Sequence, residues 1–217
     1  MDRSKVAIVI PAYNESKTIK KVVAAVQKFG DIIIVNDGSS DSTLKECNKM
    51  DVNVISHTTN KGYDEALNTG FKEAIKREYE VIITFDADGQ HDPKMIDIFL
   101  KYINEGYDLV IGNRSRKQRM GEIIFSRYAS FIYGVSDPLC GFKAYRAGLY
   151  KKLGCFDSYG SIGTQLALYS IKNKEKYKEV NMATTEREDN PRFGDLFGGN
   201  YKIFRAMLLS IFLLKKK

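Results

Sequence analysis

The sequence predicts an α/β fold with a mainly parallel sheet that carries helices on both faces. Short apolar runs alternate five times with segments of helical spacing, and the loops between them are short. An unbroken apolar run such as Val6-Ala-Ile-Val-Ile10 is typical of a strand covered on both sides. Strands that alternate with helices through short loops favour parallel βαβ units.

The first half of the chain supplies five strands and the helices between them. The predicted strands are residues 6–10, 32–35, 52–55, 81–85 and 108–111. The predicted helices are one between a cap at Asn14 and an end at Gly30, a short one after the turn at 36–42, and two at about 64–77 and 93–104. After residue 141 the pattern is mixed, and it predicts only a helix near 161–172 and a strand near 177–183.

Three segments do not follow this alternation. The basic stretch 114–127 has little periodicity and predicts a mobile loop. Residues 184–200 are polar and rich in glycine, which predicts a flexible flap. Residues 201–214 are apolar apart from Lys202 and Arg205 and predict an amphipathic helix. We therefore divide the chain into a main domain, 1–184, and an appendage, 185–217, that holds the flap and this helix.

The C-terminal helix is predicted to be too short to cross a bilayer. About 12 to 14 helical residues extend roughly 20 Å, whereas a spanning helix needs about 20 apolar residues. Two placements remain open. The helix lies in the membrane interface with its lysines at anionic headgroups, or it docks on the core.

Composition narrows the range of partners. The net charge of +7 favours an anionic partner, and the candidates are nucleic acid, an anionic membrane face and phosphorylated substrates. The three cysteines are widely spaced without a CxxC pair, which favours a reducing compartment over a disulfide framework or a zinc site. The chain runs from Met1 straight into a strand-like segment with no signal-peptide pattern, so we expect a cytoplasmic protein.

A pair of aspartates follows the fourth predicted strand. Asp86 and Asp88 are two residues apart and would project together from an extended chain. Neighbouring carboxylates repel each other unless a cation or a shared proton lies between them. Mg²⁺ or Mn²⁺ suits such an oxygen-only pair, and the amide oxygen of Gln90 would add a ligand. His91 is expected to orient this turn, whereas His57 is expected to end a strand at the surface.

Two more polar motifs, residues 11–15 and 37–41, also follow predicted strands. Ligands of parallel α/β sheets bind outside the carboxyl ends of the strands. We therefore expect these motifs and residues 86–90 to converge on one crevice. Neither a GxGxxG after the first strand nor a GxxxxGK[ST] occurs, so a dinucleotide fold and a P-loop are not supported.

Taken together, the motifs resemble those of family 2 glycosyltransferases, which have the GT-A fold, a Rossmann-like architecture. The matching stretches are Pro11-Ala-Tyr-Asn-Glu15, Val35-Asn-Asp-Gly-Ser-Ser-Asp41, Asn60-Lys-Gly62, Asp86-Ala-Asp-Gly-Gln-His91, Ile111-Gly-Asn-Arg114 and Asp137-Pro-Leu-Cys-Gly-Phe142. They occur in the family's order over about residues 5–150. Within the family the chain is most similar to dolichol-phosphate mannose synthases and bacterial polyprenyl-phosphate sugar synthases. The Asp86, Asp88 and Gln90 trio and Arg192-Phe-Gly194 carry that closer likeness.

The resemblance implies a role for each matching residue. The nucleoside of a GDP- or UDP-sugar donor would be held by Pro11, Tyr13, Glu15 and Asp37, with Lys61 near the base or the diphosphate. Asp86 and Asp88 would reach the donor and its Mg²⁺ or Mn²⁺, with Gln90 as a further metal ligand. Arg114 and Arg127 would grip an acceptor phosphate, and Asp137 would lie near the reacting sugar. The implied catalytic set is Asp88, Asp137, Arg114 and Arg127.

The acceptor remains open between two classes. Attack on the face opposite the leaving diphosphate would invert the anomeric centre, and a bound metal would stabilise the charge that develops on the leaving group. A hydroxyl acceptor needs a general base, whereas a phosphate is already ionised. Relatives that use sugar hydroxyls carry an acidic residue after the Gly-Phe motif, and residues 160–166 here hold no carboxylate. This difference favours a polyprenyl phosphate over a saccharide hydroxyl.

A protein that binds nucleic acid is the alternative from another class. Its basic residues would form a stripe with stacking aromatics, but here they are spread along the chain, and the crevice motifs are acidic. This alternative is therefore disfavoured. The sequence does not decide the sugar, the base of the donor, the oligomeric state or whether the flap closes.

Overall fold

A computed structural model describes residues 2–115, 119–183 and 196–214. Seven strands form one sheet in the order β3-β2-β1-β4-β6-β5-β7. The strands are β1 (Val6–Ala12), β2 (Asp31–Asn36), β3 (Asn53–Ser56), β4 (Val81–Thr84), β5 (Leu109–Arg114), β6 (Lys143–Arg146) and β7 (Tyr177–Met182). The helices are α1 (Ile19–Val26), α2 (Thr43–Cys47), α3 (Tyr63–Lys76), α4 (Met95–Asn104), α5 (Met120–Tyr133), α6 (Ala147–Leu153), α7 (Gln165–Lys172) and α8 (Leu196–Leu213).

The sheet is mainly parallel, as the sequence predicts. Strand β1 pairs in parallel with β2 and β4, and β5 pairs in parallel with β7. Strand β6 was not predicted, and it lies antiparallel between β4 and β5. Its four residues begin with Lys143 and end with Arg146, so the segment lacks the apolar run that marks the other central strands.

Two apolar clusters cover the two faces of the sheet. Alternate residues of β1 point to opposite sides, with Ile8 in the cluster beneath α1 and α4 and Val9 in the cluster beneath α3. The second cluster also holds Phe125 of α5, Leu166 of α7 and Ile203 of α8. Helices therefore cover both faces, which explains why the strand runs are apolar without alternation.

The stretch 114–127 is not a mobile loop throughout, and that prediction was wrong. Strand β5 extends to Arg114, and α5 begins at Met120. Phe125 of this helix is buried, whereas Phe131 and Ile132 are exposed. Because apolar residues lie on both its buried and its exposed sides, the segment shows no clear helical period. Residues 116–118 lie outside the described residues.

The C-terminal helix docks on the core through one side. Ile203, Ala206 and Ser210 are buried, whereas Tyr201 and Phe212 on the other side are exposed. The helix starts before the predicted residue 201, and its 18 residues extend about 27 Å. None of the described helices combines the length and the apolar character that a membrane span requires. Residues 196–200 of the predicted flap belong to this helix, so the flap prediction was wrong for them. Residues 184–195 lie outside the described residues, and the domain division at residue 184 stays a prediction.

Candidate active site

A cavity of about 610 Å³ opens at the carboxyl ends of β1, β2 and β4. All three polar motifs reach it, as the sequence predicts for strands that end at one edge of a parallel sheet. Of the residues assigned by resemblance, those that line it are Pro11, Tyr13, Glu15, Asp37, Asp86, Asp88, Gln90 and Arg114. The predicted convergence of the three motifs on one crevice is therefore confirmed.

Three of the assigned residues do not line this cavity. Lys61 lines a smaller adjoining pocket. Asp137 is completely buried, so its side chain cannot touch a sugar in the cavity and instead lies behind Arg114. Arg127 is exposed on α5 and is absent from the cavity wall. The resemblance assigns a role from the position of a residue in the chain, but the packing of α5 leaves Arg127 on the exposed side of the helix.

Asp86 is held from two sides before any ligand arrives. The Tyr63 hydroxyl donates to Asp86 Oδ1 at 3.2 Å, and His91 Nε2 lies 3.1 Å from Oδ2. Burial acts to raise the pKa of Asp86, but the hydrogen bonds from His91 and Tyr63 hold that pKa below its ordinary value. His91 thus orients the aspartate turn, as predicted. Tyr63 was missed because a tyrosine at the start of a helix carries no motif.

Gly141 makes room for the Asp86 carboxylate. A Cβ at this position would lie 2.1 Å from Asp86 Oδ2, well inside van der Waals contact. The glycine therefore permits the close approach of the chain before β6 to the end of β4.

We expect Gly141→Ala to lower turnover by about 100-fold, because a displaced Asp86 carboxylate would shift a ligand bound in the cavity by about 1 Å. Steady-state kinetics with a saturating acceptor measure this effect. Gly148→Ala on α6 is the matched control, since a Cβ there meets no atom within 4 Å. A Gly141→Ala enzyme as active as the control would show that Asp86 does not need this position.

The residues at the aspartate turn fit a hard divalent cation. Asp88 Oδ1 accepts the Gln90 backbone N–H at 3.0 Å, and the side chains of Asp86, Asp88 and Gln90 line the same cavity. Within the described ranges no group of three or more His, Cys, Asp or Glu side chains could hold a metal. Mg²⁺ commonly binds through one or two carboxylates plus substrate phosphates. Two carboxylates with an amide oxygen therefore suit a metal that arrives with a diphosphate.

Asp37 lies in a network that the sequence did not reveal. Its Oδ1 accepts the Lys61 backbone N–H at 2.9 Å, and its Oδ2 accepts that of Gly62 at 2.8 Å. His57 Nδ1 lies 2.7 Å from Asp37 Oδ1. The expectation that His57 ends a strand at the surface was wrong, because its side chain is only 6% exposed. A strand-end position alone does not show that the following loop folds back over the side chain.

Asn14 joins two of the loops at the cavity instead of capping α1. Its Oδ1 accepts the backbone N–H groups of Ser40 at 2.9 Å and Asp41 at 3.3 Å. Asn14 has a φ of 56°, and α1 begins only at Ile19. The asparagine therefore sets the distance between the loops after β1 and β2, which corrects the predicted cap.

Four basic side chains, here called the basic group, also line the cavity, and the carboxylate of Glu122 lies among them. Arg114, Arg119, Lys202 and Arg205 line it from β5, the start of α5, and α8. Arg114 Nε donates to Asp137 Oδ2 at 2.7 Å, and Nη2 donates to Oδ1 at 3.0 Å. Burial acts to lower the pKa of Arg114, but Asp137 keeps that pKa above its ordinary value. The buried Asp137 therefore fixes the direction of a guanidinium that faces the cavity.

A further carboxylate, Asp64 at the start of α3, also lines the cavity. Its oxygens accept the backbone N–H groups of Ile162 at 3.0 Å and Gly163 at 2.6 Å. Burial, followed by the charge of Asp157, raises the pKa of Asp64 to about 6. Sequence reasoning missed this acid because it looked for one after the Gly-Phe motif. Cys140 is buried, and burial raises the pKa of its thiol to about 12.

The cavity brings side chains of opposite charge together. Acidic and amide side chains at the ends of β1, β2 and β4 line it together with the basic group. The sequence model of glycosyl transferase family 2 matches residues 7–171. The chain therefore belongs to glycosyl transferase family 2 and is a glycosyltransferase.

Named relatives and a solved structure agree with this family. The chain is 30% identical to the UDP-N-acetylglucosamine--dolichyl-phosphate N-acetylglucosaminyltransferase of Methanococcus voltae, over 93% of this chain and 94% of that protein. It is 31% identical to the polyprenol monophosphomannose synthase of Mycolicibacterium smegmatis, over 83% and 77%. Glucosyl-3-phosphoglycerate synthase of Mycobacterium tuberculosis, solved with Mn²⁺ and UDP-glucose, superposes with a TM-score of 0.75 at 21% identity, over 96% and 79%. The fold is thus that of the GT-A glycosyltransferases.

Proposed function

We propose that this protein transfers a sugar from a nucleotide-sugar donor to a polyprenyl phosphate, with inversion and with Mg²⁺ or Mn²⁺. The observation that carries the proposal is that one cavity holds both the acidic and amide side chains at the ends of β1, β2 and β4 and the basic group from β5, α5 and α8. The acidic and amide side chains suit a metal-bound diphosphate, and the basic group suits a second, anionic substrate. The names of the relatives from Methanococcus voltae and Mycolicibacterium smegmatis support a lipid-phosphate acceptor.

On the donor side, we assign Pro11, Tyr13, Glu15 and Asp37 to the nucleoside of a GDP- or UDP-sugar. Asp86, Asp88 and Gln90 would hold the metal with the diphosphate. When bound, this metal acts as a Lewis acid for the negative charge that develops on the leaving group. Tyr63 and His91 keep Asp86 in place, so that its carboxylate needs little reorganisation on binding.

On the acceptor side, we assign Arg114 to the phosphate. The acceptor oxygen forms the new bond to the anomeric carbon while the bond from that carbon to the diphosphate oxygen breaks. An ionised phosphate loses no proton in this step, so no general base is required. Lys61 and Arg127 lie outside the cavity wall, and a role for either residue requires a ligand that extends beyond it. Asp137 serves as a positioning residue for Arg114.

A saccharide hydroxyl is the second candidate acceptor, and Asp64 is the observation in its favour. A carboxyl group with a pKa of about 6 in the same cavity is suited to accept a proton from a hydroxyl. Two backbone N–H groups already occupy its oxygens, which makes this candidate the weaker one.

The test is a transfer assay with purified protein, Mn²⁺ or Mg²⁺, a panel of GDP- and UDP-sugars and a short polyprenyl phosphate. We expect a glycolipid that disappears with EDTA. Donor hydrolysis that needs metal, without any glycolipid, would contradict the lipid acceptor and favour the saccharide hydroxyl. Absence of any metal-dependent donor turnover would contradict the whole proposal.

We also propose that the protein contacts the membrane peripherally through α5 and α8. The two helices lie side by side, with the Gly121 backbone N–H donating to Asn200 Oδ1 at 2.9 Å. Their outer sides expose large apolar residues, namely Met120, Ile123, Ile124, Phe131, Ile132, Tyr201, Leu208, Phe212 and Leu213. Exposed apolar residues in this number favour a lipid or protein partner. Arg119 at the start of α5 and Lys202 on α8 belong to the basic group that lines the cavity, where a lipid phosphate would enter.

We expect Phe131→Glu to weaken binding to vesicles with anionic lipid by about tenfold, since a buried phenylalanine contributes about 1.5–3 kcal/mol. Phe131 is 89% exposed, so the change does not disturb the core. Ile98→Glu on α4 is the control, because Ile98 is also exposed but lies on the other side of the sheet. Equal sedimentation of both variants with vesicles would contradict this membrane face.

A further inference from the structure

His57 lies in a buried chain of hydrogen bonds that ends at the cavity. Its Nδ1 is 2.7 Å from Asp37 Oδ1, and its Nε2 is 2.9 Å from Thr69 Oγ1 on α3. The ring nitrogen that faces a carboxylate carries a proton, since a carboxylate only accepts hydrogen bonds. The backbone N–H of His57 donates to the Asn36 carbonyl at 2.9 Å, next to Asp37 in the chain. Both the main chain and the ring of His57 are therefore held against the end of β2.

This chain of contacts leaves Asp37 with a limited capacity for further partners. An ionised carboxylate has about four acceptor positions. Within the described part of the chain, His57 and the Lys61 N–H occupy Oδ1, and the Gly62 N–H occupies Oδ2. One position on Oδ2 remains for a donor group, and Asp37 is one of the residues that line the cavity. His57, together with the two backbone N–H groups, therefore fixes the orientation of the Asp37 carboxylate at the cavity.

The surroundings keep this arrangement rigid. Gly38 has a φ of +67°, and a Cβ there would lie 2.4 Å from the Thr59 carbonyl carbon. The turn after β2 and the loop that carries residues 57–62 are therefore in direct contact. The side chains of Asp37 and His57 are both almost fully buried. Water therefore cannot take the place of a missing imidazole ring unless this contact rearranges.

We propose that His57, supported by Thr69, is a positioning residue that sets Asp37 to accept one N–H group of the donor's nucleobase. The inference rests on the proposed function, in which Asp37 belongs to the nucleoside site. His57 does not touch the ligand and acts only through Asp37. Uracil and guanine both present a ring N–H. The contact between His57 and Asp37 therefore serves the recognition of an N–H group and does not discriminate between the two bases.

The test measures nucleotide binding by calorimetry with Mn²⁺, using UDP, GDP and their ring-N-methylated forms. We expect His57→Leu to weaken the binding of the preferred nucleotide by about tenfold, which corresponds to the loss of one hydrogen bond to a charged group. We also expect it to remove the preference for the unmethylated base, which a merely structural role would not change. His57→Asn keeps a donor where Nδ1 lies and should retain most of this preference.

Two further variants distinguish the positioning role of His57 from a folding defect. Thr69→Val removes the second hydrogen bond and should lower the base preference in part, whereas Thr58→Val on an exposed neighbour should change neither quantity. In kinetics, His57→Leu should raise KM for the donor and leave KM for the acceptor unchanged. A folded His57→Leu or Thr69→Val protein with the wild-type base preference would overturn the inference. A wild-type protein that binds no nucleotide would overturn both the inference and the proposed function, and the two failures are thus distinguishable.

Discussion

Asp88→Asn is expected to lower kcat/KM for sugar transfer by on the order of 1,000-fold, because a weakly held metal would stabilise the transition state by several kcal/mol less. Asp88 lines the cavity beside Asp86 and Gln90. An amide in its place keeps the shape and removes one of the two negative charges available to a divalent cation. Its Oδ1 can still accept the Gln90 N–H, which lies at 3.0 Å, so the turn should remain folded.

The measurement is glycolipid formation over a range of Mn²⁺ concentrations, together with the thermal stability of each protein. Asp97→Asn is the matched control, because that carboxylate is exposed on α4 and pairs only at 3.5 Å with Arg3. We expect this control to have wild-type activity. If Asp88→Asn reached wild-type rates at saturating Mn²⁺, Asp88 would be a minor contact and the metal would depend on other ligands.

Arg114→Met is expected to destabilise the protein by about 3–5 kcal/mol, because it leaves a buried carboxylate without its charged partner. Asp137 is 0% exposed and receives the Arg114 side chain at 2.7 and 3.0 Å. For a chain of this length such a loss lowers Tm by roughly 10 °C. Glu122, which lies 3.3 Å from Arg114 Nη2, loses the same partner. Urea unfolding of wild type and variant measures the difference.

The double variant Arg114→Met/Asp137→Asn separates stability from function. Removing both charges should restore most of the lost stability, as it does when buried ion pairs are replaced as a unit. Transfer to the lipid phosphate should remain impaired, since the guanidinium is still missing from the cavity. Arg127→Met on the exposed side of α5 should change stability by less than about 0.5 kcal/mol. A double variant with full activity would refute a role for Arg114 in acceptor binding.

Local patterns were sufficient for the parallel part of the fold. The apolar runs at β1, β2 and β4 identify strands that are covered on both faces, and the polar residues that follow them identify the edge where ligands bind. The pairing of Asp86 with Asp88 in one cavity also follows from chain-local spacing. Each of these features is encoded by residues that are close together in sequence.

Contacts between distant segments decided the rest. His57 bonds to Asp37 across 20 residues, Tyr63 bonds to Asp86 across 23, and Asp64 bonds to the Gly163 N–H across 99. Strand β6 exists because two neighbours pair with it, although its own four residues have charged ends. No periodic pattern in the local sequence predicts any of these contacts.

The same distinction explains which site residues the sequence could predict. The resemblance placed Arg114, Arg127 and Asp137 together, but the structure puts one in the cavity wall, one on an exposed helix side and one in the core. The sequence by itself determined the parallel strands, the family motifs and the acidic pair at the end of β4. Only the tertiary structure decided which side chains face the cavity, because the rotation of a helix and the closing of a loop depend on packing against segments that are distant in the chain.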